Sequence, residues 1–132
     1  MVFDKKDPLA LKIVYSINIF FVISLVFSGF LLAIVYWLPL LVFALAFFYY
    51  KVFASALIQK KRYSYYLNLM FHVFGIISIF IATIKNGFNY SSLELALQIF
   101  FRLLNAVAIY FLLSKEMRVI FLPKRSVKPK RR

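Results

Sequence analysis

Four long apolar runs divide this chain, and each has the length of a membrane-spanning helix. A bilayer core about 30 Å thick needs roughly 20 apolar residues in helical form. The runs are joined by short connections, which favour antiparallel neighbours in a helical bundle. We therefore predict an all-α membrane protein whose four transmembrane helices form an up-down bundle. The expected spans are about residues 13–34, 39–58, 63–84 and 93–113.

Basic residues collect on one side of these expected spans. The leader 1–12 holds three, the loop between the second and third spans holds three, and the tail 115–132 holds eight. The opposite side holds only Lys85. By the positive-inside rule, both termini are expected in the cytoplasm. The predicted organisation is a cytoplasmic leader (1–12), a transmembrane domain (13–114) and a basic cytoplasmic tail (115–132), in the cell (inner) membrane.

The first apolar run is predicted to remain in the protein as an uncleaved anchor. The apolar core of a signal peptide has about 7–15 residues, and this run is longer. No convincing small-x-small cleavage site follows it. Lysine precedes the run, as in a signal peptide, so the prediction depends on its length.

Composition argues against several classes of function. Of the 132 residues, 64% are hydrophobic, none is Cys and one is His. Disulfides, thiolate metal sites and Cys nucleophiles are excluded. With no carboxylate in mid-span, acid–base pairs, metal clusters and Ser-His-Asp triads lack their groups, so we expect no enzyme activity, cofactor or metal. The net charge of +13 would suggest nucleic acid in a soluble protein. In this chain most of the basic residues flank the expected spans, so no nucleic-acid partner is expected.

One polar stripe runs along the fourth expected span. Glu94, Gln98, Arg102 and Asn105 recur at helical spacing, so they share one face of an apolar helix. Charge in hydrocarbon is costly and usually has a partner or a watery niche. Ser91 and Glu94 have the spacing of a capping box, which gives Glu94 a role at the helix start.

Counting residues from the turns places other polar groups near the same depth. Asn105 comes level with His72, and Arg102 lies about 4.5 Å further out at ~1.5 Å per residue. Lys51 falls close to the same layer. A cationic pocket could then hold an anion, a lipid phosphate or an acidic side chain of a partner.

Each of these residues also has a simpler interpretation. Lys51 can extend its stem to the inner surface. His72 can be neutral and hydrogen-bonded between helices. Gln98 and Asn105 can join helices to each other, or can hold the guanidinium of Arg102 in place. Arg102 is the hardest to explain without a partner.

The tail is a second candidate site, for lipid headgroups. Polybasic segments gain roughly 1 kcal/mol per Lys or Arg near an anionic surface, so we predict contact with anionic lipids. Within the tail, Met117, Ile120 and Phe121 are expected on the membrane interface, before Pro123 ends the helix. The predicted headgroup contacts are Lys124, Arg125, Lys128, Lys130, Arg131 and Arg132.

The chain shows no motif that assigns it to a family. Its size and layout are similar to those of the small multidrug transporters. They rely on a Glu in the first span, where this chain has only Ser16, Asn18, Ser24 and Ser28 as polar groups. We expect a non-catalytic structural or accessory subunit that docks within the membrane, on another subunit or as a homo-oligomer. The alternatives are a small channel or carrier for anions or anionic lipids, and a holin-like permeabilising protein.

Overall fold

The computed structural model describes residues 3–4, 6–31, 38–86 and 91–122, and all regular structure within them is helical. Three of the helices are long and apolar enough to cross a membrane: α1, α2 and α4. The all-helical class and the membrane character expected from the sequence are therefore confirmed. The five helices are α1 (Leu9–Leu31), α2 (Leu38–Ile58), α3 (Arg62–Asn86), α4 (Ser92–Leu112) and α5 (Lys115–Phe121).

Local hydrogen bonds determine where α1 and α4 begin. α1 begins at Leu9, four residues before the expected span, because the Pro8 carbonyl already accepts from the N–H groups of Leu11 and Lys12. α4 begins with the expected capping box. The Ser91 hydroxyl accepts from the Glu94 N–H at 3.3 Å, and the Glu94 carboxylate accepts from the Ser91 N–H at 2.9 Å. The predicted helix-start role of Glu94 is confirmed.

Helix α1 packs along α2 and against α4, while α3 packs along α4. At one end, α1 and α2 approach closely because Gly29 has no side chain. A Cβ atom there would come within 2.6 Å of the Phe43 ring. At the other end of the bundle, helix ends meet in an apolar core. Its members are Ala10, Leu11, Val14, Leu57, Tyr65, Leu112, Met117 and Phe121.

Helix α5 turns back across this end of the bundle. The Ser114 hydroxyl accepts from the Met117 N–H at 3.4 Å and caps the new helix. Met117 and Phe121 are buried, whereas Val119 points outward. Met117 and Phe121 therefore contact the bundle and do not face outward, while the depth of α5 at the membrane interface stays a prediction. The chain changes direction at Ser114, and their side chains then pack over the helix ends.

Helix α2 is continuous but contains a π-helical segment at Tyr50–Ser55. A π turn holds more residues than an α turn, and the apolar pattern of the chain does not predict one. Ala46 and Tyr49 before the segment are buried, and so are Ala54 within it and Leu57 beyond it. The wider turn therefore keeps one face of α2 against the bundle.

An ion pair fastens the N-terminal segment to the tight turn between α2 and α3. The Lys60 ammonium lies 2.8 Å from the carboxylate of Asp7, whose side chain is buried. Lys60 has a positive φ of 55°, which turns the chain sharply after α2. The Lys60 ammonium, together with the Asp4 N–H that donates to the carboxylate, holds the pKa of Asp7 below its ordinary value.

Candidate intramembrane polar site

Arg102 lies in a surface cleft beside α1, with the polar stripe of α4 along its wall. Its Nη2 donates to Gln98 Oε1 at 3.4 Å, a long contact to a neutral group one turn away. Its Nε is buried and has no hydrogen-bond partner among the described residues. The cleft has a volume of about 420 Å³, and its walls are Phe21, Glu94, Leu97, Gln98, Phe101 and Arg102.

Glu94 and Arg102 mark the two ends of this cleft. Eight residues separate them on α4, which corresponds to about 12 Å along the helix axis. They form no ion pair with each other, and Leu97 and Phe101 provide apolar wall along the same cleft. Arg102 thus has an acid on its own helix face, but too far away to neutralise it directly.

A second cleft lies on the other side of Arg102, between α3 and α4. It has a volume of about 340 Å³. Apart from Arg102, its walls are entirely apolar. The guanidinium therefore stands between a partly polar cleft and an apolar one. The apolar walls are Ile76, Phe80, Ile99, Leu103 and Ala106.

His72 and Asn105, which the depth count placed at one level, meet between α3 and α4. His72 Nδ1 lies 2.8 Å from Asn105 Oδ1, and both side chains are buried. Because an amide oxygen accepts, Nδ1 donates this hydrogen bond. Nε2 is buried without a partner among the described residues. Gly75 makes room, since a Cβ there would lie 2.6 Å from Asn105 Nδ2.

Lys51 does not join the other predicted site residues. Its side chain is exposed on α2, and its ammonium lies 5.6 Å from the centroid of the Phe47 ring on the same helix. A cation over an aromatic face is weakly stabilised. The predicted cationic pocket is thus divided: Arg102 contacts Gln98, His72 contacts Asn105, and Lys51 is apart from both.

The most extensive polar network in the interior was not predicted. Asn18 Nδ2 donates to Asn68 Oδ1 at 2.6 Å, and the Tyr49 hydroxyl donates to Asn18 Oδ1 at 2.9 Å. Asn68 Nδ2 donates to the carbonyls of Ser64 at 2.8 Å and Phe53 at 3.2 Å. One signal was present: Asn68 precedes His72 by four residues, so both lie on the same face of α3.

The basic residues proposed for lipid contact in the tail, from Lys124 to Arg132, lie outside the described residues. Their contact with anionic headgroups remains a prediction. No protein-family model matches this chain, and no curated protein or solved structure matches it either.

Proposed function

We propose that the protein spans the membrane four times as an up-down bundle with both termini in the cytoplasm. Helix α3 is the fourth span. It has 25 residues, more than any of the three helices already long and apolar enough to cross. No charged residue occurs in it between Leu67 and Ile84. The strong bias of Lys and Arg to one side supports the orientation.

We further propose that it is a non-catalytic accessory subunit that docks on a partner within this membrane, with Arg102 as the contact. The observation that carries this proposal is the buried Nε of Arg102, which has no partner among the described residues. An Arg at mid-span costs about 2.5–3.5 kcal/mol on the insertion scale. One 3.4 Å contact to neutral Gln98 offsets little of that.

The matching partner is a membrane helix with an Asp or Glu side chain at the depth of Arg102. A guanidinium offers its N–H groups in a planar fork, and a carboxylate can accept two of them at once. The clefts on both sides of Arg102 leave room for such a side chain to enter from the surface of the bundle.

The alternative, a channel or carrier for anions, has less support. The interior polar groups Asn18, Tyr49 and Asn68 bond with one another, so they hold helices together. Reconstitution in liposomes distinguishes the two functions. A carrier moves an anion without any other subunit, and an accessory subunit moves none.

Site-directed photo-crosslinking in cells tests the docking. A photoreactive residue at Leu97 lies in the Arg102 cleft, and the control at Leu45 is about equally exposed on α2. We expect one dominant protein adduct from Leu97, and none of that mass from Leu45. The same adduct from both positions, or none from Leu97, would contradict the proposal.

A matched pair of variants then assigns the contact to Arg102. Arg102→Ala and Lys51→Ala each remove one cation from a span, but Lys51 is exposed and does not line the cleft. The Leu97 adduct should disappear with Arg102→Ala and persist with Lys51→Ala. Without a partner, Arg102→Ala should instead stabilise the isolated protein by up to the insertion cost. A fully assembled Arg102→Ala variant would end the proposal.

A further inference from the structure

A groove with a charged rim and an apolar floor lies where α1 begins and α4 gives way to α5. It consists of two clefts of about 580 Å³ and 400 Å³ that share Lys115 and Glu116 as walls. The larger cleft adds the exposed apolar side chains of Leu9, Tyr110 and Leu113. The smaller one adds Lys6 beside Pro8.

The charges of this groove match one anion. Lys6, Lys115 and Glu116 give its walls a formal net charge of +1 at neutral pH, which a single phosphodiester would balance. Lys6 and Lys115 come from opposite ends of the chain, and neither forms an ion pair with a described residue. The two ammonium groups are therefore available to one ligand between them.

The position of the groove relative to the helices indicates an amphiphile. Lys6 precedes the first turn of α1 and Lys115 follows the last turn of α4, so both lie at helix ends, where a bilayer has its headgroups. Leu9 is the first residue of α1, Tyr110 lies in the last turn of α4, and Leu113 caps the end of α4. Charged groups above apolar ones reproduce the order of a phospholipid, headgroup above acyl chain.

We propose that this groove binds one anionic phospholipid with a single phosphodiester charge, of the phosphatidylglycerol type. Lys6 and Lys115 hold the phosphate, and an acyl chain lies along Leu9, Tyr110 and Leu113. Glu116 disfavours headgroups with more negative charge. This site is separate from the tail beyond Leu122. It rests on the membrane placement of α1 and α4, and not on docking at Arg102.

Native mass spectrometry of the full-length protein in detergent, titrated with defined lipids, tests the site. We expect one tightly retained phosphatidylglycerol, with phosphatidylcholine and phosphatidylethanolamine retained much less. Lys6→Ala/Lys115→Ala should weaken the first binding step about 25-fold, since each basic residue contributes about fivefold near an anionic group. Equal retention of phosphatidylethanolamine would overturn the proposed selectivity for an anion.

A control variant separates the groove from general attraction to basic surface. Lys61→Ala/Arg118→Ala removes the same charge from two exposed residues that do not line the groove. It should retain the first lipid with the affinity of the wild-type protein, and the basic residues from Lys124 to Arg132 are the same in all three proteins. An equal loss in both double variants would show charge attraction alone and would refute the site.

The position of the acyl chain gives an independent measurement. In a Trp37→Phe background, Leu113→Trp places an indole on the apolar wall of the groove. Phosphatidylglycerol with brominated acyl chains should quench this fluorescence at about one lipid per protein, and the Lys6→Ala/Lys115→Ala change should remove the quenching. Stoichiometric binding without quenching would place the lipid elsewhere on the protein.

Discussion

Asn68 shows how a single buried side chain can join three helices. From α3 it reaches Asn18 on α1 and the Phe53 carbonyl on α2, and it also bonds Ser64 on its own helix. It is fully buried. Interhelical hydrogen bonds within membranes average only about 0.6 kcal/mol, but a buried polar group that loses its partner costs about 1–3 kcal/mol.

We therefore predict that Asn68→Ala lowers the free energy of unfolding by about 1–3 kcal/mol, mainly because the Asn18 amide loses its acceptor. Unfolding of the purified protein by a denaturing detergent measures this change. Asn18→Ala/Asn68→Ala should cost less than the sum of the two single variants, because it leaves no stranded amide. Ser16→Ala is the control, since Ser16 is exposed and bonds only within α1. If Asn68→Ala lowered the free energy of unfolding no more than Ser16→Ala does, the prediction would be contradicted.

At the residue scale, the sequence allowed depth to be predicted, but not rotation. Counting from the turns brought His72 and Asn105 to one level, and they are in contact. The same count placed Lys51 there, yet it points outward from α2. Rise per residue is nearly constant along a helix. Which face of α2 meets the bundle depends on packing and on its π segment, neither of which the apolar pattern reveals.

Among the helices, the long ones were predictable, and so was a short helix before Pro123, but the burial of its side chains was not. The limits of α2, α3 and α4 follow the apolar runs closely because each run matches the thickness of a bilayer. α5 has only seven residues, too few to distinguish a buried face from an interfacial one. Its two anchors, Met117 and Phe121, pack into a core that long-range contacts create.

We predict that Phe121→Ala releases α5 without unfolding the bundle. Removing a buried Phe costs about 3–5 kcal/mol in a core, and a short terminal helix can open locally. Hydrogen exchange at residues 115–122 should therefore rise by roughly two to three orders of magnitude, while the middle of α1 stays protected. Val119→Ala is the control, since Val119 is exposed on the same helix. Unchanged exchange in Phe121→Ala would show that α5 does not depend on this anchor.

At the scale of the whole molecule, polar groups lie inside and large apolar side chains lie outside. Asn18, Asn68, His72 and Asn105 are buried, whereas Phe27, Phe47, Phe74, Leu103 and many others are exposed. Exposed apolar area of this extent is unusual in a soluble monomer. The arrangement suits a molecule whose helices are surrounded by lipid.

The proposed orientation predicts where added tags become accessible. A reporter enzyme that works only in the cytoplasm should be active when it is fused after Arg132. A cysteine introduced between residues 85 and 92 should react with a membrane-impermeant reagent added outside the cell. The physical reason is the excess of Lys and Arg on the side of the termini. A cysteine introduced at Gln59 serves as the control and should be protected. Labelling of the cysteine at position 59 in intact cells would contradict the proposed orientation.

The π segment of α2 also determines where the length of the chain can change. Adding one residue to a regular α-helix rotates everything beyond it by about 100°, which would turn a buried face towards lipid. At Tyr50–Ser55 the wider turn absorbs that rotation, so Tyr49 and Leu57 both face the bundle. Deletion of one residue is therefore compatible with the fold in this segment, because it would leave a regular α turn, whereas in the regular turns of α1 or α4 a deletion would put the helix out of phase with its neighbours.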